Sequence, residues 1–326
     1  MNEFGGYYEL SGLISQKQYH EKANYKLNSV TNAIIFCLKN RQYDGVYLPY
    51  YNCEVVRRKL LKHNIKLKFY HIDENFYPKI KNNQIEPNYG FLYIDYFGIN
   101  YGNSLRVTEE FGNVILDNSQ AFFSPRIKNI DTIYSPRKFF CVTDGAYLYS
   151  DVKNSYFNNI DFDKSHNRYS SILKKYELNS NLAYGLHKAN ELEIEMSDVL
   201  FMSKSTEYLL SCIDYKKNSQ KNLDNFLYIH KKLSKINHIK INIDELLVKK
   251  MIPMIYPLLN EKNIKQQLVD KKIYVSSWWN YLLSEVDIYS FEFMLSKNLN
   301  PLPIDYRYNK SDLNYFINQV QLIYDH

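Results

Sequence analysis

Short apolar runs rich in β-branched and aromatic residues alternate with helical patterns through the first half of the chain, and each run stops on polar residues. D-G-V-Y-L-P ends at Pro49. The helical E-V-V-R-R-K-L-L-K-H comes next, then I-K-L-K-F-Y-H-I, Y-G-F-L-Y-I-D and V-I-L-D. Strand–helix–strand alternation predicts a mostly parallel sheet with helical crossovers. In such sheets ligands bind beyond the carboxyl ends of the strands. P-Y-Y-N (49–52), Y-F-G (96–98) and D-N-S-Q (117–120) all fall at those ends.

The chemistry concentrates in residues 114–148. One apolar run ends on Asp117, with Gln120 three residues on; the next delivers Ser135, Arg137 and Lys138, and Asp144-Gly145 follow. Carboxylates and lysines rarely sit at the ends of buried strands unless something there needs them. An acid at one strand end and a lysine at the next suit pyridoxal phosphate: the lysine can form a Schiff base, and the acid can keep the pyridine nitrogen protonated. Upstream, Ala33, Ile34, Cys37 and Leu38 repeat at helical spacing behind a candidate N-cap, Ser29 or Thr31. A helix starting there offers free N–H groups to a phosphate.

Composition excludes several classes. At 326 residues, with 45% hydrophobic and 23% charged, the chain is long enough for a large domain and a smaller partner. The net charge of +6 comes without a long basic block, so no nucleic-acid partner is expected. The cluster Arg57-Arg58-Lys59 with Lys62 reads as a solvated helix face. The four cysteines are far apart with no histidine at ligand spacing, so no metal site is expected; each lies in an apolar run and reads as a buried free thiol. No run reaches the ~18 apolar residues of a membrane span, and no signal peptide is evident, so the expected location is the cytoplasm.

After Tyr149 a polar stretch reads as a surface loop, followed by long helical patterns from about residue 170 to 235. The expected division is a large domain over residues 1–215 and a small C-terminal α/β domain over 216–326. Within the latter, M-I-P-M-I-Y-P-L-L and I-Y-V-S-S-W-W read as strands. E-K-N-I-K-Q-Q-L-V-D-K-K, residues 290–296 and a last stretch capped by Ser311 read as helices.

Seven pieces spread along the chain carry a resemblance: G-G-Y-Y-E-L, S-V-T-N-A-I, L-P-Y-Y-N-C, D-Y-F-G, I-L-D-N-S-Q-A, Y-S-P-R-K-F-F-C-V-T-D-G-A and L-P-I-D-Y-R-Y. Together they resemble the DegT/StrS-type sugar aminotransferases, fold-type I enzymes dependent on pyridoxal 5′-phosphate. The resemblance implies an aspartate-aminotransferase-like α/β fold. It implies that Lys138 binds the cofactor and serves as the general base, and that Asp117 pairs with the pyridinium nitrogen. Gln120 would sit beside the ring, and Thr31, Asn32 and Ser135 would hold the phosphate. Tyr51 or Cys53 would cover the ring face. The pattern departs from many relatives in its Ser–Lys spacing, three residues rather than five, so Arg137 would serve either the phosphate or the substrate.

The implied reaction moves an amino group from an amino acid, glutamate by expectation, to a keto sugar carried on a nucleoside diphosphate, for surface polysaccharides such as O-antigen or for antibiotics. Trp278, Trp279 and Arg307 are candidates for the sugar-nucleotide side, with core packing an equal alternative for the tryptophans. A homodimer is implied, with the loop near His166–Arg168 as the candidate crossing segment. The altered spacing and short length keep a second function open: a catalytically degenerate relative that binds a sugar nucleotide or a protein partner. A dehydratase of this fold would carry histidine at position 138.

Overall fold

The computed structural model describes residues 10–325, so all of G-G-Y-Y-E-L except Leu10 lies outside the described residues. β1 (Tyr25–Leu27) leads into α1 (Val30–Asn40). Then follow β2 (Gly45–Pro49), α2 (Glu54–Lys62), β3 (Lys66–Tyr70), β4 (Tyr89–Ile94), α3 (Tyr101–Glu110) and β5 (Val114–Asn118). β6 (Asp131–Tyr134) and β7 (Ala146–Tyr149) complete a seven-stranded sheet of order β1-β7-β6-β5-β4-β2-β3. From β3 to β6 every pairing is parallel, whereas β7 is antiparallel to both of its neighbours. The expected mostly parallel α/β sheet is the one observed.

Both faces of this sheet are covered, which is why β2, β4 and β5 read as nearly continuous apolar runs. Alternate residues point to opposite faces. Leu48, Leu92 and Ile115 pack with Ile34, Cys37 and Leu38 of α1. Tyr47, Phe91, Tyr93 and Leu116 join a core that continues into the C-terminal part through Phe226, Leu246, Tyr256 and Leu302.

The C-terminal part begins with the hairpin of α4 (Tyr169–Glu177) and α5 (Ser180–Met196), then α6 (Lys204–Ser211), α7 (Tyr215–Leu233) and α8 (Ile243–Val248). β8 (Ile255–Leu259), α9 (Lys265–Asp270), α10 (Phe291–Asn298), β9 (Leu299–Pro303) and α11 (Lys310–Asp325) follow. β8 and β9 form a two-stranded antiparallel sheet in which Pro257 faces Pro301. Two-stranded ribbons tolerate proline because an outward N–H needs no ladder partner.

Four local expectations are corrected. I-Y-V-S-S-W-W is irregular and adds to neither edge of the two-stranded β8–β9 sheet. α11 is capped by Asn309, whose Oδ1 accepts from the N–H groups of Ser311 and Asp312, and not by Ser311. Of the four cysteines only Cys37 is buried; Cys53 and Cys212 are half-buried, and Cys141 is exposed because Phe140 and Val142 on either side take the buried positions. Arg57 and Lys59 are buried and not on a solvated face. No described helix is long and apolar enough to cross a membrane.

Directly after β4 comes Asp95, which is fully buried and accepts hydrogen bonds from Asn100 N (3.0 Å) and Ser124 Oγ (3.1 Å). Burial pushes its carboxyl up to about 7 despite those two donors. The folded state therefore holds a proton that the unfolded chain releases near pH 4, and stability falls as pH rises through that window. Asp95→Asn removes this titration. Its stability relative to the wild type is expected to improve by about 2–4 kcal/mol between pH 5 and 8. Urea unfolding at the two pH values measures this, and a pH-independent difference would refute it.

Candidate functional site

Of the strand ends singled out in the sequence, Asn52 and the 117–120 segment reach one cleft, whereas residues 96–98 do not line it. This cleft, of about 370 Å³, opens at the carboxyl edge of the sheet. Its walls include Ser29, Val30 and Thr31 at the start of α1, Cys53 before α2, Asp117 near the end of β5, Ser119 and Gln120 just after that strand, and Ser135, Arg137 and Lys138 after β6. Trp279 and α5 complete it.

Ser29 is the N-cap of α1; its Oγ accepts from Asn32 N at 3.2 Å. The cap leaves the first turn, at Val30 and Thr31, facing the cleft. Asp117 is buried and its Oδ1 accepts from Ser119 N (2.8 Å), while Oδ2 has no hydrogen-bond partner among the described residues. This is an Asx turn that tightens the exit from β5 and aims Ser119 at the lysine. Ser119 Oγ accepts from Lys138 Nζ at 3.0 Å. Pro136 starts the single 3₁₀ turn that carries Lys138.

The Lys138 side chain is open to the cleft, yet protein surrounds the amine itself. That loss of water holds the ammonium below the ordinary lysine range; the negative charge of Asp117 opposes the shift. Gln120 is buried; its Oε1 accepts from Phe97 N at 2.9 Å, leaving the amide NH₂ for the cleft. Gly98 makes that packing possible. It lies at φ +73°, and a Cβ there would come within 2.9 Å of the Gln120 carbonyl oxygen.

Thr31, Asp117, Gln120, Ser135, Arg137 and Lys138 are thus brought together on one cleft. Asn32, Tyr51, Trp278 and Arg307 are not. The Asn32 amide donates to Asn28 Oδ1 (2.8 Å) and the Asp198 carbonyl (2.7 Å). Tyr51 is fully buried and meets Trp279 edge-on, so Cys53 and Trp279 line the wall in its stead. Trp278 stacks on Phe97. Arg307 pairs with Asp305. In the loop expected to cross to a neighbour, Arg168 is buried between Asp163 and Glu193 of its own chain.

Sequence reasoning passed over Ser119, Lys59 and the α5 wall. Arg137 Nη2 donates to Glu191 of α5, and its Nε is buried without a partner. Arg58 pairs with Glu195 of the same helix at 2.6 Å. Charges spaced three to four apart on a long polar helix carry no sign of the cleft they reach across to. Among the described residues, no group of three or more His, Cys, Asp or Glu could hold a metal ion.

By sequence, the chain matches no protein-family model and no curated protein. By structure it matches solved aminotransferases over nearly its full length. Spr1654 from Streptococcus pneumoniae, in its PLP form, superposes with a TM-score of 0.62 at 12% identity, covering 96% of this chain and 93% of that one. A DegT DnrJ EryC1 StrS aminotransferase from Brucella abortus gives 0.61 at 12% identity, covering 92% and 85%. The sugar aminotransferase CalS13 from Micromonospora echinospora gives 0.59 at 11%, covering 91% and 86%. This is the sugar-aminotransferase fold. Identities this low carry the fold alone, so the chemistry has to be argued from the cleft.

Proposed function

We propose that the protein is a pyridoxal-phosphate-dependent sugar aminotransferase of the DegT/StrS type. The observation that carries this reading is the convergence of Lys138, Asp117 and the start of α1 on one cleft. The donor set suits the cofactor. Asp117 Oδ2 is an acceptor without a partner among the described residues, fit for a pyridinium N–H. The free amide of Gln120 suits a ring oxygen. Thr31, Ser135 and the first turn of α1 suit a phosphate, and the cleft volume lies in the range of small-molecule sites. Spr1654, which shares the fold, has been solved in both PLP and PMP forms.

Bound there, pyridoxal phosphate supplies an electron sink for exchanging an amino group with a keto oxygen. The chain's own part is positioning and proton transfer. Lys138 Nζ would hold the cofactor and would serve as the base that takes the proton from the substrate carbon and returns it. The lowering of its pKa by lost hydration favours the neutral amine that a Schiff base needs. Ser119 Oγ fixes where that nitrogen sits. Arg137, with its orphaned Nε, suits the carboxylate of the amino-acid donor, which would take the place of Glu191. The proposed partners are glutamate as donor and a nucleotide-linked keto sugar as acceptor. A homodimer is also proposed, supported by exposed Leu173, Tyr176, Leu178, Leu182 and Leu192 on the α4–α5 hairpin beside the cleft.

Purified protein given pyridoxal phosphate is expected to turn yellow, with a band that borohydride bleaches. Adding glutamate alone should bleach the band and release 2-oxoglutarate in stoichiometric amount; adding the keto sugar should make the release catalytic. A protein that stays colourless with the cofactor refutes the reading. One that colours but releases no 2-oxo acid with any amino acid favours the binding-only alternative.

A further inference from the structure

Three lysine or arginine side chains line the cleft, and two are already engaged. Arg137 is paired with Glu191, and Lys138 donates to Ser119 beside Asp117. The third, Lys59, comes from α2 and is only 5% exposed. Its Nζ donates one hydrogen bond, to the Ser197 carbonyl at 2.6 Å, and takes part in no ion pair among the described residues. A buried ammonium with two of its three N–H donors unused is costly, and a leucine or methionine on this helix face would pack without that cost. The residue shares its cleft with Ser29, Val30 and Thr31, where α1 begins.

A cofactor phosphate at the start of α1 would carry close to two negative charges. The neutral donors there, Thr31, Ser135 and backbone N–H groups, together with the helix dipole, offer only partial positive charge. We propose that Lys59 is the cation of the phosphate subsite, turning from the Ser197 carbonyl toward a phosphate oxygen when the cofactor binds. The inference rests on the pyridoxal-phosphate reading and adds a residue to it. It also ties α5 to cofactor loading, because Ser197 directly follows that helix and the neighbouring Asp198 carbonyl is held by Asn32 at the first turn of α1. Asp198 and Glu195 face the ammonium and favour its charge; Lys62 and the nearby His63 oppose it. Burial outweighs them all and pushes the Lys59 ammonium down to about 8. A phosphate dianion would raise it again, so binding takes up a proton above that pH.

The test compares pyridoxal phosphate with pyridoxal, which lacks the phosphate, in the wild type, Lys59→Met and Lys59→Arg. The band formed with Lys138 is the readout. Lys59→Met is expected to raise the Kd for pyridoxal phosphate by about 10- to 100-fold, the range of a charge-assisted hydrogen bond, and to leave that for pyridoxal within about 3-fold. Lys59→Arg should recover part of the loss. In the wild type, the preference for pyridoxal phosphate over pyridoxal should decline as pH rises through about 8. A wild type that forms no band with either ligand defeats the parent reading, and this proposal with it. If the wild type does form the band, the proposal alone is overturned in either of two ways. One is equal weakening of both ligands in Lys59→Met, the mark of a mere tether for Ser197. The other is a wild-type preference that stays flat from pH about 7 to about 9.

Discussion

Lys138→Ala is expected to abolish the yellow band and to lower transamination by at least about 10³- to 10⁴-fold, since in the proposed function one substitution removes both the covalent anchor and the proton carrier. The fold should survive. Lys138 contributes a single hydrogen bond to Ser119, and its ammonium is held below its ordinary range by the loss of water around it. The sign of the stability effect follows from that depression. The folded state binds fewer protons than the unfolded chain between the lowered and the ordinary lysine pKa, so the charged amine costs stability at neutral pH. The alanine variant should therefore melt at the same temperature as the wild type or higher, and the cofactor should wash out on dialysis. A small primary amine added to the solution should restore part of the rate, because truncating a side chain that lines the cleft leaves room there for the amine. Lys138→Arg keeps the charge but not a competent nucleophile, and should be as inactive as alanine. An alanine variant that keeps its band would mean that another amine binds the aldehyde, and Lys59 would be the first to examine.

The sheet was legible because both of its faces are covered. Residues such as Leu92 and Tyr93 must each be apolar for a different layer, and an unbroken apolar run of strand length results. The polar stops were legible for the same reason: a carboxylate such as Asp117 directly after V-I-L is expensive without a purpose. What hid from the sequence depends on distant partners. Lys59 sits two places from Arg57 on one short helix, and both are buried. Arg57 pairs with Glu285, far along the chain, whereas Lys59 meets Ser197. Only tertiary packing separates either of them from a solvated face. β9 was obscured by Pro301 and Pro303, which argue against a strand except in a ribbon of two. Asn32 illustrates the converse. The T-N-A turn reads as a set of phosphate donors, but the Asn32 amide is spent on Asn28 and Asp198, holding the start of α1 in place.

Asp117→Asn isolates charge from shape. Asparagine keeps an acceptor for Ser119 N, so the Asx turn and the Ser119 contact to Lys138 should persist. What disappears is the negative charge proposed to face the ring nitrogen. Deleting one member of a buried charge pair costs about 3–5 kcal/mol, so transamination should fall by about 10²- to 10⁴-fold while the yellow band remains. The same charge is what opposes the downward shift of the Lys138 ammonium. Without it the amine should titrate at lower pH, and the pH at which pyridoxal reacts with the protein should move down in step. A cofactor analogue methylated on the ring nitrogen carries a fixed positive charge and needs no acid to keep it. In Asp117→Ala, which has room for the methyl group, the analogue should outperform pyridoxal phosphate itself; in the wild type it should not. If the asparagine variant turns over within about 3-fold of the wild type, Asp117 serves only to shape the turn after β5, and the electron-sink role assigned to this cleft is lost.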